Sequence, residues 1–220
     1  MELFKKDASF SYVNGRAYVH SSSIIEYIWL SVKPHFSSQS GQEIYIDIRF
    51  HQVLKSNAKF IVLDEFQDFS KDKNIVSEGV VYTEQMKLYF YLFEDTGRDV
   101  VGNDNFEYCV DMDSTGNYEG LCVISINNIT SYIGNIIEAN KRVHKITQCN
   151  NSKLEIINLY MKKFPLQIAD KNFEKTTLLI ENIGVREYKS DITTLNRIKF
   201  PEFPGMQFDI AFLVKESVRE

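Results

Sequence analysis

The sequence is poor in the residues that staple or punctuate a chain. Its 220 residues include three cysteines, four histidines, four prolines and one tryptophan. Cys109, Cys122 and Cys149 are odd in number and lack C-x-x-C spacing, which argues against a disulfide framework. They read as reduced thiols of a cytoplasmic protein. His20, His35, His51 and His144 are scattered without paired ligand spacing, so a metal site is not expected. The net charge is −5 and no stripe of Lys and Arg occurs, which argues against a nucleic-acid partner. The longest apolar runs, 88–93 and 210–214, are far too short to span a bilayer. Residues 1–8 carry two lysines with no apolar run behind them, unlike a signal peptide. No G-x-S-x-G, phosphate-binding loop or dinucleotide fingerprint is present, which weakens hydrolase, kinase and dehydrogenase readings.

What is present suits a folded α+β chain. Hydrophobic residues make up 44% and charged residues 25%, close to the globular average, so wholesale disorder is excluded. The length fits one large domain or two small ones. Sixteen Phe and twelve Tyr favour strands. Residues 10–20 alternate around Asn14-Gly15, a strand or short hairpin signal. Three serines, 21–23, then precede an apolar stripe of Ile24, Ile25, Ile28, Trp29 and Val32 at helical spacing. A serine cap is expected there, with Ser23 and Glu26 as a capping box and Pro34 as the stop. Strands are predicted over 43–50, 59–65, 75–82, 87–94 and 105–112, with a charged loop over 67–74. A linker over 111–120 follows, in which Asp111 and Asp113 are a solvated turn or a weak cation site. The second half predicts a strand at 121–126, a helix at 129–144 and strands at 154–164, 176–183 and 207–214.

The halves repeat. Gly15–Ile28 overlays Gly120–Ile133 at an offset of 105, matching Gly15 with Gly120, Ile24 with Ile129, Tyr27 with Tyr132 and Ile28 with Ile133. Segments 50–54 and 164–168 match at an offset of 114, and 86–90 and 206–210 at 120. An offset that grows in order is what loop insertions produce.

One helix followed by long antiparallel strands, repeated, resembles the hotdog fold, in which a sheet wraps a central helix. The resemblance spans residues 8–215 and implies a tandem double hotdog. Its two antiparallel sheets would each wrap a helix, with repeats at 8–112 and 113–216. Ser22–Val32, SSIIEYIWLSV, is similar to the helix of double-hotdog thioesterase/dehydratase-like proteins from polyketide and fatty-acid-like biosynthesis. The Gly-Asp-x-His-Trp segment associated with that helix is missing, as is the His-Phe-Pro segment of hydroxyacyl-thioester dehydratases. The resemblance implies acyl thioesters of coenzyme A or acyl carrier protein as substrates, with no metal or redox cofactor. Thioesterase, dehydratase-like and acyltransferase chemistry are all open. So is a catalytically inactive double hotdog that binds an acyl chain or a partner protein. A third possibility is an unrelated α+β interaction protein. As a double hotdog the chain would be a monomer or a homodimer.

The resemblance places the site near the helix N-terminus, where backbone N–H groups can polarise a carbonyl. His20 and Glu26 are the candidate catalytic residues, with the Ser22–Ile24 amides facing the carbonyl. Set against this, His20 is an ordinary strand-end histidine and Glu26 a capping carboxylate. Asn14, Ser22, Ser23, Asn127 and Asn128 are candidate substrate-binding residues. For Asn14 a turn, and for Asn127 and Asn128 a helix cap, are the structural alternatives. Tyr27 and Tyr132, recurring in both halves, read as packing, and His51 as surface.

Overall fold

The computed structural model describes residues 1–39, 41–148, 154–170, 174–189 and 191–216. Cys149 lies outside them. The chain forms two compact units, Met1–Glu107 and Tyr108–Glu220. Among the described residues no helix is long and apolar enough to cross a membrane.

The first unit runs β1 (Glu2–Ala8), β2 (Tyr12–Val13), α1 (Ser21–Val32), β3 (Tyr45–Phe50), β4 (Ser56–Leu63), β5 (Ile75–Tyr82), β6 (Lys87–Asp99) and β7 (Asn103–Asp104). Its antiparallel strands are ordered β1-β4-β6-β5-β3. β2 and β7 form a separate parallel pair. The strand or short hairpin expected over 10–20 is only this short pair and a turn, with Asn14 and Gly15 both at positive φ. α1 buries Ile24, Ile25, Ile28, Trp29 and Val32, the stripe expected from its spacing. Each such side chain contributes roughly 1.5–3 kcal/mol of burial. The α-helix stops at Val32, and Pro34 continues as a 3₁₀ turn, Lys33–Phe36, where its missing N–H costs nothing.

β6 is apolar on both faces because the sheet has cores on both sides. Phe90 meets Phe60 on one side, and Phe60 meets Tyr27 of α1. On the other, Leu63, Ile75 and Tyr91 form a second cluster with Ile61, Phe69, Tyr89 and Phe93. The charged segment 64–74 is a strap over that cluster: Phe69 packs edge-on to Tyr91 at 4.7 Å, and Gln67 N–H donates to the Tyr91 hydroxyl at 2.8 Å. Where β5 crosses β3, Gly79 is obligatory, since a Cβ there would lie 2.0 Å from the Asp47 carbonyl oxygen.

The second unit runs β8 (Val110–Gly116), β9 (Glu119–Ser125), α2 (Ile129–Gln148), β10 (Leu154–Pro165), β11 (Lys175–Tyr188), β12 (Asp191–Lys199) and β13 (Gln207–Glu216). Its order is β8-β9-β11-β12-β13-β10. The expected linker over 111–120 is instead the β8–β9 hairpin, closed by Asn117 and Tyr118 at φ 53° and 63°. Two consecutive positive φ values are the primed turn that suits a twisted hairpin. Asp111 and Asp113 are exposed strand residues, not a turn. α2 buries Tyr132, Ile133, Ile136, Ile137 and Val143. Tyr132 sits in a cage with Phe164 and Phe200, and Phe164 meets Phe208 at 4.9 Å.

Among the described residues each unit thus has two strands before its α-helix, followed by five strands (β3–β7) in the first unit and four (β10–β13) in the second. The matched segments at 50–54 and 164–168 both begin at the end of the first strand after the helix. The last match does not survive. β6 and β13 are each the final strand of their unit's main sheet, but β6 lies between β4 and β5, whereas β13 lies between β12 and β10. The first unit interleaves its strands; in the second, β11, β12 and β13 form a meander.

Candidate active site

The start of α1 gathers four of the expected residues. His20, not a serine, is the N-cap: its backbone is extended (φ −72°, ψ 144°) and its side chain turns back onto the helix. Val19 N–H, bonded to the Leu54 carbonyl at 2.9 Å, fixes the approach. His20 Nδ1 accepts from Ser22 N–H at 3.4 Å and lies 2.7 Å from Ser22 Oγ. A backbone N–H only donates, so Nδ1 is the acceptor and the neutral ring carries its proton on Nε2. The Ser22 hydroxyl therefore donates to Nδ1. His20 is 2% and Ser22 4% exposed.

Two expectations about this helix start are corrected. The Ser23–Glu26 capping box does not form, because the helix begins three residues earlier than that pairing requires. Ser21, Ser22 and Ser23 are its first three helical residues, and the first turn holds no acid. Glu26 is half-buried in the second turn, on the face it shares with Ser22. The Ser22–Ile24 amides are not all available either. Ser23 and Ile24 N–H both donate to the His20 carbonyl, at 3.1 and 3.3 Å. Only Ser22 N–H, in its long contact with Nδ1, remains to meet a carbonyl oxygen.

The remaining candidates are committed to their own backbone. Asn14, exposed in the turn after β2, holds the Phe106 main chain from both ends of its carboxamide, at 2.8 and 2.9 Å. Tyr12 donates to the Lys55 carbonyl. Asn128 caps α2: its Oδ1 accepts from Ser131 N–H at 2.8 Å, and Ser131 Oγ accepts from Asn127 and Asn128 N–H at 2.9 Å each. No imidazole takes part in this cap, so the two helix starts differ chemically. Tyr27 donates to the Asp7 carbonyl, whereas the buried Tyr132 hydroxyl has no partner among the described residues, and burial pushes its pKa up.

Two polar features escaped the sequence reading. His51 lies at the surface, as expected, but there pairs with Glu78 at 3.0 Å. In the second unit His144 is fully buried, its Nδ1 donating to the Asn140 carbonyl and its Nε2 accepting from Thr194 Oγ1. Burial pushes its pKa down to about 4. Asn140, Asn196 and Asn182 continue this polar row across the sheet. The helical i, i+4 spacing of Asn140 and His144 was its only sequence signal. A groove of about 460 Å³ lined by Glu119, Leu121, Leu179, Glu181, Asn182 and Ile183 contains none of the expected site residues. Cys109 is exposed and Cys122 buried, both as free thiols, and burial pushes Cys122 up to about 12. Among the described residues no three His, Cys, Asp or Glu side chains converge on a point that could hold a metal ion.

No protein-family model and no curated protein matches the sequence. The fold, however, has relatives along almost its whole length. The dehydratase domain from the CurJ module of curacin polyketide synthase superposes with a TM-score of 0.54 at 9% identity, over 97% of this chain and 91% of that one. A conserved protein of unknown function with a hot dog fold from Alicyclobacillus acidocaldarius gives 0.53 at 7% identity, over 100% and 97%. The tesB protein of Mycobacterium avium subsp. paratuberculosis gives 0.52 at 6%, over 98% and 93%. What is shared at such identities is backbone geometry.

Proposed function

We propose that this hotdog-fold chain processes acyl thioesters carried on coenzyme A or an acyl carrier protein. In this reading the chain is a tandem double hotdog, one repeat per unit, working in the cytoplasm as a monomer or homodimer. The reaction is of the thioesterase, dehydratase-like or acyltransferase kind, in a polyketide or fatty-acid-like biosynthetic pathway. The similarity to the curacin dehydratase domain supports the substrate class. Fold likeness alone does not fix chemistry, so the weight rests on the site.

The observation that carries the reading is the buried His20–Ser22 pair at the start of α1. The positive end of a helix favours a developing oxyanion, and a desolvated imidazole supplies or removes a proton beside it. Glu26, one turn further on the same face, is the second acid/base candidate. The start of α2 is capped by Asn128 and Ser131 with no imidazole, so one live helix-start site per chain is expected. The alternative is a catalytically silent hotdog that binds an acyl chain or a partner. It draws support from Asn14 and Asn128, which spend their side chains on their own backbone.

The test is turnover of an acyl-CoA series, followed by free-thiol release, with the wild type, His20→Ala and Glu26→Ala. Loss of at least tenfold in kcat/KM in either variant supports the assignment. Unchanged turnover in the double variant rules out both residues.

A further inference from the structure

We propose that Ser22 is a nucleophile, activated by His20, and that the acyl group passes through an ester on Ser22 Oγ. This deepens the thioester reading and rests on it for the identity of the acyl donor. The geometry is that of a nucleophile and its base. Oγ lies 2.7 Å from Nδ1, within the range for direct proton transfer, and the two side chains are more than nine-tenths buried. Capping alone does not account for this arrangement. The capping contact, Ser22 N–H to Nδ1, is the long one at 3.4 Å, while the hydroxyl contact is short. The start of α2 shows what a cap without chemistry looks like. There Ser131 Oγ accepts two N–H bonds and donates to the Asn128 carbonyl, which leaves the oxygen no basic partner.

The steps balance. Ser22 Oγ bonds to the thioester carbonyl carbon while its proton moves to His20 Nδ1. Protonated Nδ1 can no longer accept from Ser22 N–H. That N–H is released as the negative charge appears on the carbonyl oxygen beside it, and it becomes an oxyanion donor. The C–S bond then breaks, and the thiolate leaves with the proton from Nδ1. Water, or an acceptor hydroxyl or amine, attacks acyl-Ser22 by the same proton transfers in reverse order. No oxidant, metal or further cofactor enters the balance.

The experiment uses the full-length protein and two probes. An alkyl fluorophosphonate reports activated serines irrespective of the natural acyl donor, and octanoyl-CoA reports thioester turnover. Adducts are located by peptide mass spectrometry. The expected result is fluorophosphonate on Ser22, none on Ser131, and at least a tenfold slower reaction in His20→Asn, which keeps a side-chain acceptor for the helix cap. Octanoyl-CoA turnover falls by at least a hundredfold in Ser22→Ala. Circular dichroism and a thermal melt confirm that both variants fold. Absence of a Ser22 adduct, or labelling indifferent to His20→Asn, overturns the nucleophile. If octanoyl-CoA is nevertheless turned over, and Ser22→Ala retains that turnover, the thioester reading stands without it. A Ser22 adduct that depends on His20, with no turnover of any acyl-CoA, upholds the pair and overturns the thioester reading instead. Acylation of exposed Cys109 is told apart by neutral hydroxylamine, which strips thioesters and spares the Ser22 oxyester.

Discussion

Asn128 and Ser131 cap α2 by exchanging hydrogen bonds: the asparagine oxygen accepts from Ser131 N–H, and the serine oxygen accepts from Asn128 N–H. Two otherwise unpaired donors are satisfied by one pair of short side chains. Asn128→Ala removes one acceptor and loosens the other. The expected cost is about 1 kcal/mol, read as a lower urea midpoint with unchanged slope. Asn128→Asp restores most of the loss, which a substrate-binding role alone would not require.

His144 makes the second unit sensitive to acid. Its ordinary pKa is 6.5, and burial pushes it to about 4 in the fold. Its neighbours Asn140, Thr194, Tyr118 and Phe212 offer no charge to hold an imidazolium. The unfolded chain therefore binds a proton that the folded chain refuses. Stability from this group is complete above pH 6.5 and is lost as pH falls from there towards 4, at about 1.4 kcal/mol per pH unit. The total is on the order of 3 kcal/mol. Urea titrations at pH 7.5, 5.5 and 4.5 check it: the wild type falls more steeply than His144→Asn over that window.

Gly79 admits no side chain. A methyl group would lie 2.0 Å from the Asp47 oxygen and 2.6 Å from the Phe90 ring, so β3 and β5 would have to separate. Gly79→Ala is expected to cost more than 3 kcal/mol, since overpacking at backbone cannot be relieved by a rotamer change. Thermal unfolding of the purified variant reads this directly. Recovery of the wild-type midpoint would contradict the close approach.

Phe69 holds the 64–74 strap on the sheet through Tyr91 and Phe93. Phe69→Ala removes both ring contacts and is expected to cost roughly 1–3 kcal/mol. It should also create a protease-sensitive site within 64–74, while thioester turnover stays as it was. Limited proteolysis with peptide mapping is the check.

The parts of this molecule that bury one face were plain in the sequence. The stripe from Ile24 to Val32 is α1, and Ile46 and Ile48 alternate into the core of the first unit exactly as a half-buried strand must. Elements with another logic were hidden. β1, ELFKKDA, is an edge strand whose residues are mostly exposed, so nothing alternates. β12, DITTLNRIK, looks polar because the side chains it buries include Thr194 and Asn196, paired to His144 and to Asn140. The helix cap was misplaced because three consecutive serines carry a strong cap signal, while the capping atom belongs to the histidine before them. The same tie between His20 and Ser22 could not be read from spacing, since it depends on the cap bringing Nδ1 back over the first turn. Strand order leaves no mark on side-chain periodicity, and the exchanged places of the last strands were legible only in three dimensions.

That exchange bears on how each unit is assembled as the chain is made. In the second unit β11, β12 and β13 are neighbours in sequence and in space, so each can zip onto the one before it through a short loop closure. In the first, β4 leaves one edge open until β6 arrives, and β5 must meanwhile wait against β3. β6 can zip onto β5 across the turn at 83–86 and closes the β4 edge on its other side, just as β13 meets both β12 and β10 in the second unit. A nascent chain halted before residue 87 would therefore expose two unfinished edges, and the strand that removes both is the most aromatic of the unit.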